Sequence, residues 1–459
     1  MSDRTTTPTG PTPAARIAAL HHPALLAMRA ELAAELTGRI LPYWMTRAAD
    51  ERNGGVVGLI DGDGVRHEDA PKGSIVHARV LWTFAAAHRV LGDCAYRDAA
   101  DRAAAYVRAR FVDPAHGGVY WMVNADGTPR DERKHVYAQA FAIYALSEHV
   151  RATGDAGSLA LARELFRLVE RHAHDARHGG YQEAFSRDWV LLDDVRLSDE
   201  DADERKSMNT HLHLLEAYTN LYRVWPEDLV RRRLEELLGL FLDTIVDEDA
   251  GHVRQFFDED WTPKSAAVSY GHDIETSWLL LEAADVLEDP STGSGQAPSA
   301  AESALTLTPS AARGKGKGSG QAGLLRARAR RVSLRVAGEV LGEGYDAESG
   351  GLFNEGGPDG VVDTDKEWWP QAEAIVGFVC AYQESGRETY LHAARATWAF
   401  VKAHVLDAEH GEWRRRVARD GTPRPGREKV GPWKCPYHNG RACLELIARV
   451  AEPATAAAS

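Results

Sequence analysis

Apolar positions recur with a period near 3.6 through most of the chain, and the helices they predict fall into two kinds. One kind starts with aromatic and polar residues and continues with small or apolar ones: 74–92, 135–150, 209–225, 271–287, 367–383 and 438–450. The other, of which 393–407 is representative, carries more exposed charge and ends on an aspartate. That aspartate opens a repeated signal. Asp50/Gly54, Asp113/Gly117, Asp175/Gly179, Asp247/Gly251, Asp346/Gly350 and Asp407/Gly411 share one spacing, four of the six copies carry a second glycine, and each leads into a stretch rich in Val, Tyr, Phe or Trp. A turn and a short extended segment are predicted at each. Successive copies lie about 60 to 70 residues apart, room for two helices and too little for a domain. Six such hairpins, none able to bury its apolar face alone, predict an all-α fold: an (α/α)6 barrel with short β-like segments at one rim. The first kind of helix forms the inner ring, and its six starts converge beside the glycine turns.

One interval is longer. Between Asp247 and Asp346 lies 290–322, biased to Ser, Gly, Ala and Pro, and expected to be a mobile surface insertion in a single domain spanning 15–451. Residues 1–14, rich in Thr and Pro, and 452–459 are expected to be disordered ends. The net charge of -14 argues against nucleic acid or an anionic membrane as partner. No apolar run reaches the roughly 18 residues of a spanning helix, and the start lacks the features of a secretion signal, so a cytoplasmic monomer or weak homo-oligomer is expected. Cys94, Cys380, Cys435 and Cys443 are scattered without CxxC spacing, which suits a reducing compartment and offers no zinc site. With no HxxxH, HExxH, calcium loop or phosphate cradle, neither metal nor cofactor is expected.

The chemistry-bearing residues cluster at the inner-helix starts. Asn209 and His213, four apart, share a face, whereas His211 points away from it. His272 and Glu275 are three apart, a spacing at which the carboxylate could orient the imidazole. Trp278 lies nearly two turns beyond His272 and reads as core. Trp369 and Glu373 stand four apart; Trp433, His438 and Arg441 fall together at the sixth start; and Arg79 adds a cation at the first. Any one of these could be core, and Glu275 and Glu373 could simply satisfy Arg79 or Arg441 in structural ion pairs. The coincidence across repeats favours one shared cavity.

At these motifs the chain resembles a known family. MNTHLHLLEAYTNLYR (208–223), GHDIETSWLLLEAA (271–284), EWWPQAEAIVGF (367–378), GPWKCPYHNGR (431–441) and APKGSIVHARVLWTF (70–84) are similar to those of the cellobiose 2-epimerases, a branch of the N-acylglucosamine 2-epimerase superfamily. The likeness runs from about Ile40 to Glu445, the 290–322 insertion excepted. It implies that His272 and His438 are an acid/base pair flanking C2 of a reducing-end sugar. Arg79, Asn209 and His213 would hold the oxygens at C1 and C2, Glu275 would orient His272, and Trp369 and Trp433 would stack on the sugar rings. Inverting a carbon beside a carbonyl needs a proton removed from one face and returned to the other, with donors at the enediolate oxygens, and histidines suit both roles. A small-molecule disaccharide is then the expected partner. The alternatives are a mannose or glucose 2-epimerase, an aldose–ketose isomerase, a glycoside hydrolase working through Glu275 and Glu373, and a non-catalytic sugar-binding protein.

Overall fold

The computed structural model describes residues 21–198, 202–291 and 318–450. Six inner helices, Ser74–Leu91, Val136–Thr153, Met208–Val224, Tyr270–Glu288, Trp368–Ser385 and Tyr437–Arg449, pack each against the next, and the sixth returns to the first. They are buried on nearly every face, which is why their apolar pattern runs all round the helix. An outer layer covers them. In the outer helix Ala156–His172, for example, Leu161, Leu165, Phe166 and Val169 are buried at helical spacing and the other face is charged. The N-terminal helix Pro23–Glu35 packs on the sixth inner helix, so the two ends of the chain close the double ring as an (α/α)6 barrel.

The short strands link neighbouring repeats. The two residues before an inner helix pair antiparallel with the segment after the next turn: Lys72–Gly73 with Met122–Val123, Lys134–His135 with Ala184–Phe185, and Lys206–Ser207 with Phe256–Phe257. Val268–Ser269 and Lys366–Glu367 repeat the pattern with Glu355–Gly357 and Arg416–Val417. A bridge between Ile60 and Val430 completes the circuit.

Each repeated aspartate is a hub. Asp50 takes backbone N–H bonds from Arg52 and Asn53 on one oxygen, and the Lys72 ammonium lies 2.6 Å from the other. Lys134, Lys206, Lys366 and Lys429 do the same for Asp113, Asp175, Asp346 and Asp407 at 2.6 to 3.1 Å. All five lysines are buried, so these pairs pin each turn beneath the rim. The fourth repeat differs: Val268 stands where a lysine would, and Asp247 pairs instead with Arg254 at 2.7 Å.

A side chain from each of the first five inner helices ties down the strand after the turn. His77, Gln139, His211 and Gln371 accept from the backbone N–H of Val56, Val119, Tyr181 and Leu352. Here the second glycine is required: a Cβ on Gly180 would sit 2.7 Å from Nε2 of His211. On the fourth inner helix the tie is the shorter Asp273, which accepts from the Val253 N–H, and the second glycine gives way to His252, 2.8 Å from it; at the sixth, Glu412 replaces that glycine, takes the Trp413 N–H on its own carboxylate and accepts from Asn439 at 2.7 Å. His211 therefore belongs to the scaffold.

The 290–322 segment lies mostly outside the described residues, as do 1–14 and 452–459. Its last five residues open the outer helix Gly318–Glu339, a correction to the expected boundary; Ala322 is already buried there, which favours helix over surface loop.

Candidate active site

Counting from Lys72, Lys134, Lys206, Val268, Lys366 and Lys434, the residues seven further on are Arg79, Phe141, His213, Glu275, Glu373 and Arg441. One helical turn nearer the rim stand Tyr137, Asn209, His272, Trp369 and His438. The two layers surround a cavity of about 180 Å³ lined by Arg79, Tyr137, Asn209, His213, His272, Glu275, Trp369, Trp433 and His438, with Leu197, Ser198, Glu367, Trp368 and Arg415 at its mouth. A polar basin of about 420 Å³ adjoins it, sharing Leu197, Asn209, His272, Glu367, Trp369 and Arg415. The structure thus brings together every site residue proposed from the sequence except Glu373 and Arg441.

His272 and His438 enter from the fourth and sixth inner helices, and the half-buried Trp369 of the fifth stands between them, its ring 4.7 Å from one imidazole and 5.5 Å from the other. Gly271 permits this, since a Cβ there would lie 2.5 Å from the indole. Trp433, also half-buried, meets the rings of Tyr137 and Trp121 at 6.1 and 6.2 Å. Trp278 is core, with its N–H on Glu373.

The two arginines of the seven-residue layer differ in what surrounds them. Arg79 has no carboxylate partner among the described residues. Its guanidinium lies 4.1 Å from the Phe141 ring centre, donates to Tyr137 at 2.9 Å and leaves Nε unpaired. Arg441, fully buried, bonds Glu216 and Glu275 and donates to Glu373 at 2.7 Å. Two site expectations are corrected here. Glu275 does not orient His272, whose Nδ1 lies 2.9 Å from the Ser269 hydroxyl; a fully buried guanidinium needs carboxylates and takes it. Glu373 stands behind the cavity wall, where Oε1 accepts from Nδ1 of His438 at 2.7 Å and from Arg441, and Oε2 from Trp278 at 3.1 Å. Glu216, which the sequence reading passed over, accepts from Nδ1 of His213 at 3.0 Å. Its place three residues after His213 was the available signal, as the place three residues after the strand lysine Lys134 was for Tyr137, matching Asn209 after Lys206 and Trp369 after Lys366.

Electrostatics follow from burial. Burial holds His272 down to about 3, and burial with the Arg79 and Arg441 charges keeps His438 well below its ordinary value, so both rings are neutral near pH 7. Burial and the adjacent Glu373 push Glu275 up to about 7. Among the described residues its Oε2 has no hydrogen-bond partner, nor has Oδ1 of Asn209. With Nε of Arg79 they make three unsatisfied polar atoms in residues of one wall, a surface suited to a hydroxyl-rich ligand. Ligand-type atoms of Glu275, Glu373 and His438 fall within 4.8 Å of one another, but Arg441 already supplies the positive charge this group needs. A hydrolase needs its two carboxyl groups on either side of the bond it cleaves, whereas here one guanidinium, that of Arg441, holds both Glu275 and Glu373, and Glu373 does not line the cavity.

Residues 54–314 and 300–442 match the N-acylglucosamine 2-epimerase (GlcNAc 2-epimerase) family, and this match, with the relatives below, makes the protein an enzyme of the carbohydrate epimerase and isomerase class. The cellobiose 2-epimerase of Bacteroides fragilis is 43% identical over 420 residues, 92% of this chain and 98% of that one, and a Ruminococcus albus cellobiose 2-epimerase is 38% identical, with 92% and 99% covered. The solved cellobiose 2-epimerase of Bacillus thermoamylovorans superposes with a TM-score of 0.81 at 37% identity, covering 92% of this chain and all of the other. The chain belongs to the N-acylglucosamine 2-epimerase family. Among the described residues no helix is long and apolar enough to cross a membrane.

Proposed function

We propose that the protein inverts C2 of the reducing-end aldose of β-1,4-linked disaccharides, taking cellobiose to glucosyl-mannose and lactose to epilactose. The observation that carries this reading is the placement of His272 and His438 in one small cavity, on helices separated by the one that bears Trp369, beside an arginine with no carboxylate partner among the described residues. Once the sugar ring has opened, one neutral imidazole removes the C2 proton. The electron pair moves into an enediolate whose oxygens face Arg79, His213 and Asn209. The growing negative charge raises the affinity of the second ring for a proton, which it takes from solvent; as an imidazolium it delivers that proton to the opposite face of C2, and the first ring then returns the abstracted proton to solvent. Trp369 and Trp433 hold the sugar rings by apolar contact, and Glu275 takes a sugar hydroxyl on its unpaired oxygen. The scheme uses neither metal nor cofactor.

The test is His272→Ala and His438→Ala assayed on cellobiose. Each should fold and bind sugar while turnover falls by about 10²–10⁴. Near-parental turnover in either variant removes that histidine from the reaction.

A further inference from the structure

Ser207 and Ser269 hold the same place in consecutive repeats, each the last extended residue before an inner helix. A serine there ordinarily caps the helix by accepting from an N–H of the first turn. Ser207 does so, with its hydroxyl 3.1 Å from the Thr210 nitrogen. Ser269 makes no capping bond; its Oγ is 2.9 Å from Nδ1 of His272. The other two cavity histidines are backed differently, His438 by Glu373 and His213 by Glu216. A carboxylate only accepts and so pins the proton on Nδ1, whereas a hydroxyl can accept from an N–H or donate to a bare nitrogen.

We infer that Ser269 is a positioning residue for His272, its hydroxyl holding the imidazole in one orientation against Trp369 whether the ring carries one proton or two. This rests on the epimerase reading above. If His272 alternates between taking and giving the C2 proton, its backing group must suit both forms without a turn of the ring. The fourth inner helix forgoes its cap to supply such a group. Ser269 also lines the polar basin beside the cavity, together with His272.

The test compares Ser269→Ala, Ser269→Thr and His272→Ala on cellobiose. Because no capping bond is lost, Ser269→Ala should melt with the parent, lower kcat about tenfold through a loosened ring, and leave KM within about twofold. Ser269→Thr, which keeps the hydroxyl on a residue suited to extended backbone, should recover most of that loss. A parental kcat in Ser269→Ala overturns the inference. So does a fall in kcat that follows a lowered Tm or a raised KM, and so does a Thr variant that melts normally without recovery. His272→Ala separates the two claims: an active His272→Ala defeats the role given to His272 itself, whereas an inactive one beside a fully active Ser269→Ala removes Ser269 alone.

Discussion

Replacing Glu373 by glutamine keeps the shape of the group behind His438 and removes its charge. In the parent, Oε1 accepts from both His438 and Arg441 while Oε2 accepts from Trp278. A glutamine must keep its one carbonyl oxygen toward the first two donors, which turns the amide NH₂ toward the indole N–H and leaves that buried donor unpaired, at a cost of about 1–3 kcal/mol. Opposing this, Glu216, Glu275 and Glu373 crowd one guanidinium, and removing one of three like charges relieves the other two. The net loss of stability should stay below about 3 kcal/mol. Activity should suffer more. When His438 takes up a proton, a hydrogen bond to a charged acceptor stabilises the cation by about 1.5–3 kcal/mol and one to a neutral acceptor by about 0.5–1.5. The difference of about 1–2 kcal/mol corresponds to roughly 5- to 30-fold in kcat. Urea denaturation and steady-state kinetics on cellobiose measure both quantities. Glu373→Gln with parental kcat, or with stability lost far beyond that bound, would refute this account of the carboxylate.

Other outcomes follow from the same structure. Trp369→Ala and Trp433→Ala should raise KM sharply while costing clearly less than the roughly 3–5 kcal/mol of a buried tryptophan, and a variant that melts far below the parent with intact affinity would return that residue to the core. Lys72→Met leaves Asp50 buried with no cation partner among the described residues and should cost about 3–5 kcal/mol, whereas Lys134→Met should cost less because Arg187 still bonds Asp113 at 2.9 Å. Equal denaturation midpoints for the two lysine variants would contradict this ranking. At His252 burial lowers the pKa, but Asp273 and Glu343 more than offset it and leave the value raised. Its stabilisation is therefore complete below about 6.5, the unfolded value, and is lost as pH climbs through the folded value. The gap in Tm between the parent and His252→Gln should shrink from pH 6 to pH 9, and a widening gap would reverse the sign. Exhaustive chelation should leave turnover unchanged; loss restored by one divalent metal would overturn the metal-free scheme.

Much of this was legible in the chain, because a repeat carries its own register. Once the Asp/Gly turns fix where each inner helix begins, Arg79, Asn209, His213, His272, Trp369, Trp433 and His438 must face the same end of the barrel, and the structure places all of them on one cavity. Partner choice was not legible. Arg79 and Arg441 occupy the same position on adjacent helices, yet one sits among aromatic rings and the other among three carboxylates, one of them Glu216 on the opposite side of the barrel. Spacing along one helix suggests that Glu275 could meet His272, but only the closed ring shows that Arg441 competes for it. The Asp–Lys hubs left a trace, a lysine just before most inner helices, whose meaning depends on seeing the turn fold back beneath it.

The most direct test of the central claim is to incubate the protein with cellobiose in heavy water and follow C2 of the reducing-end sugar by NMR. Two-histidine proton exchange predicts that glucosyl-mannose accumulates with deuterium at C2 and that the glycosidic bond stays intact. An epimer that retains protium at C2, or the release of free glucose, would contradict it.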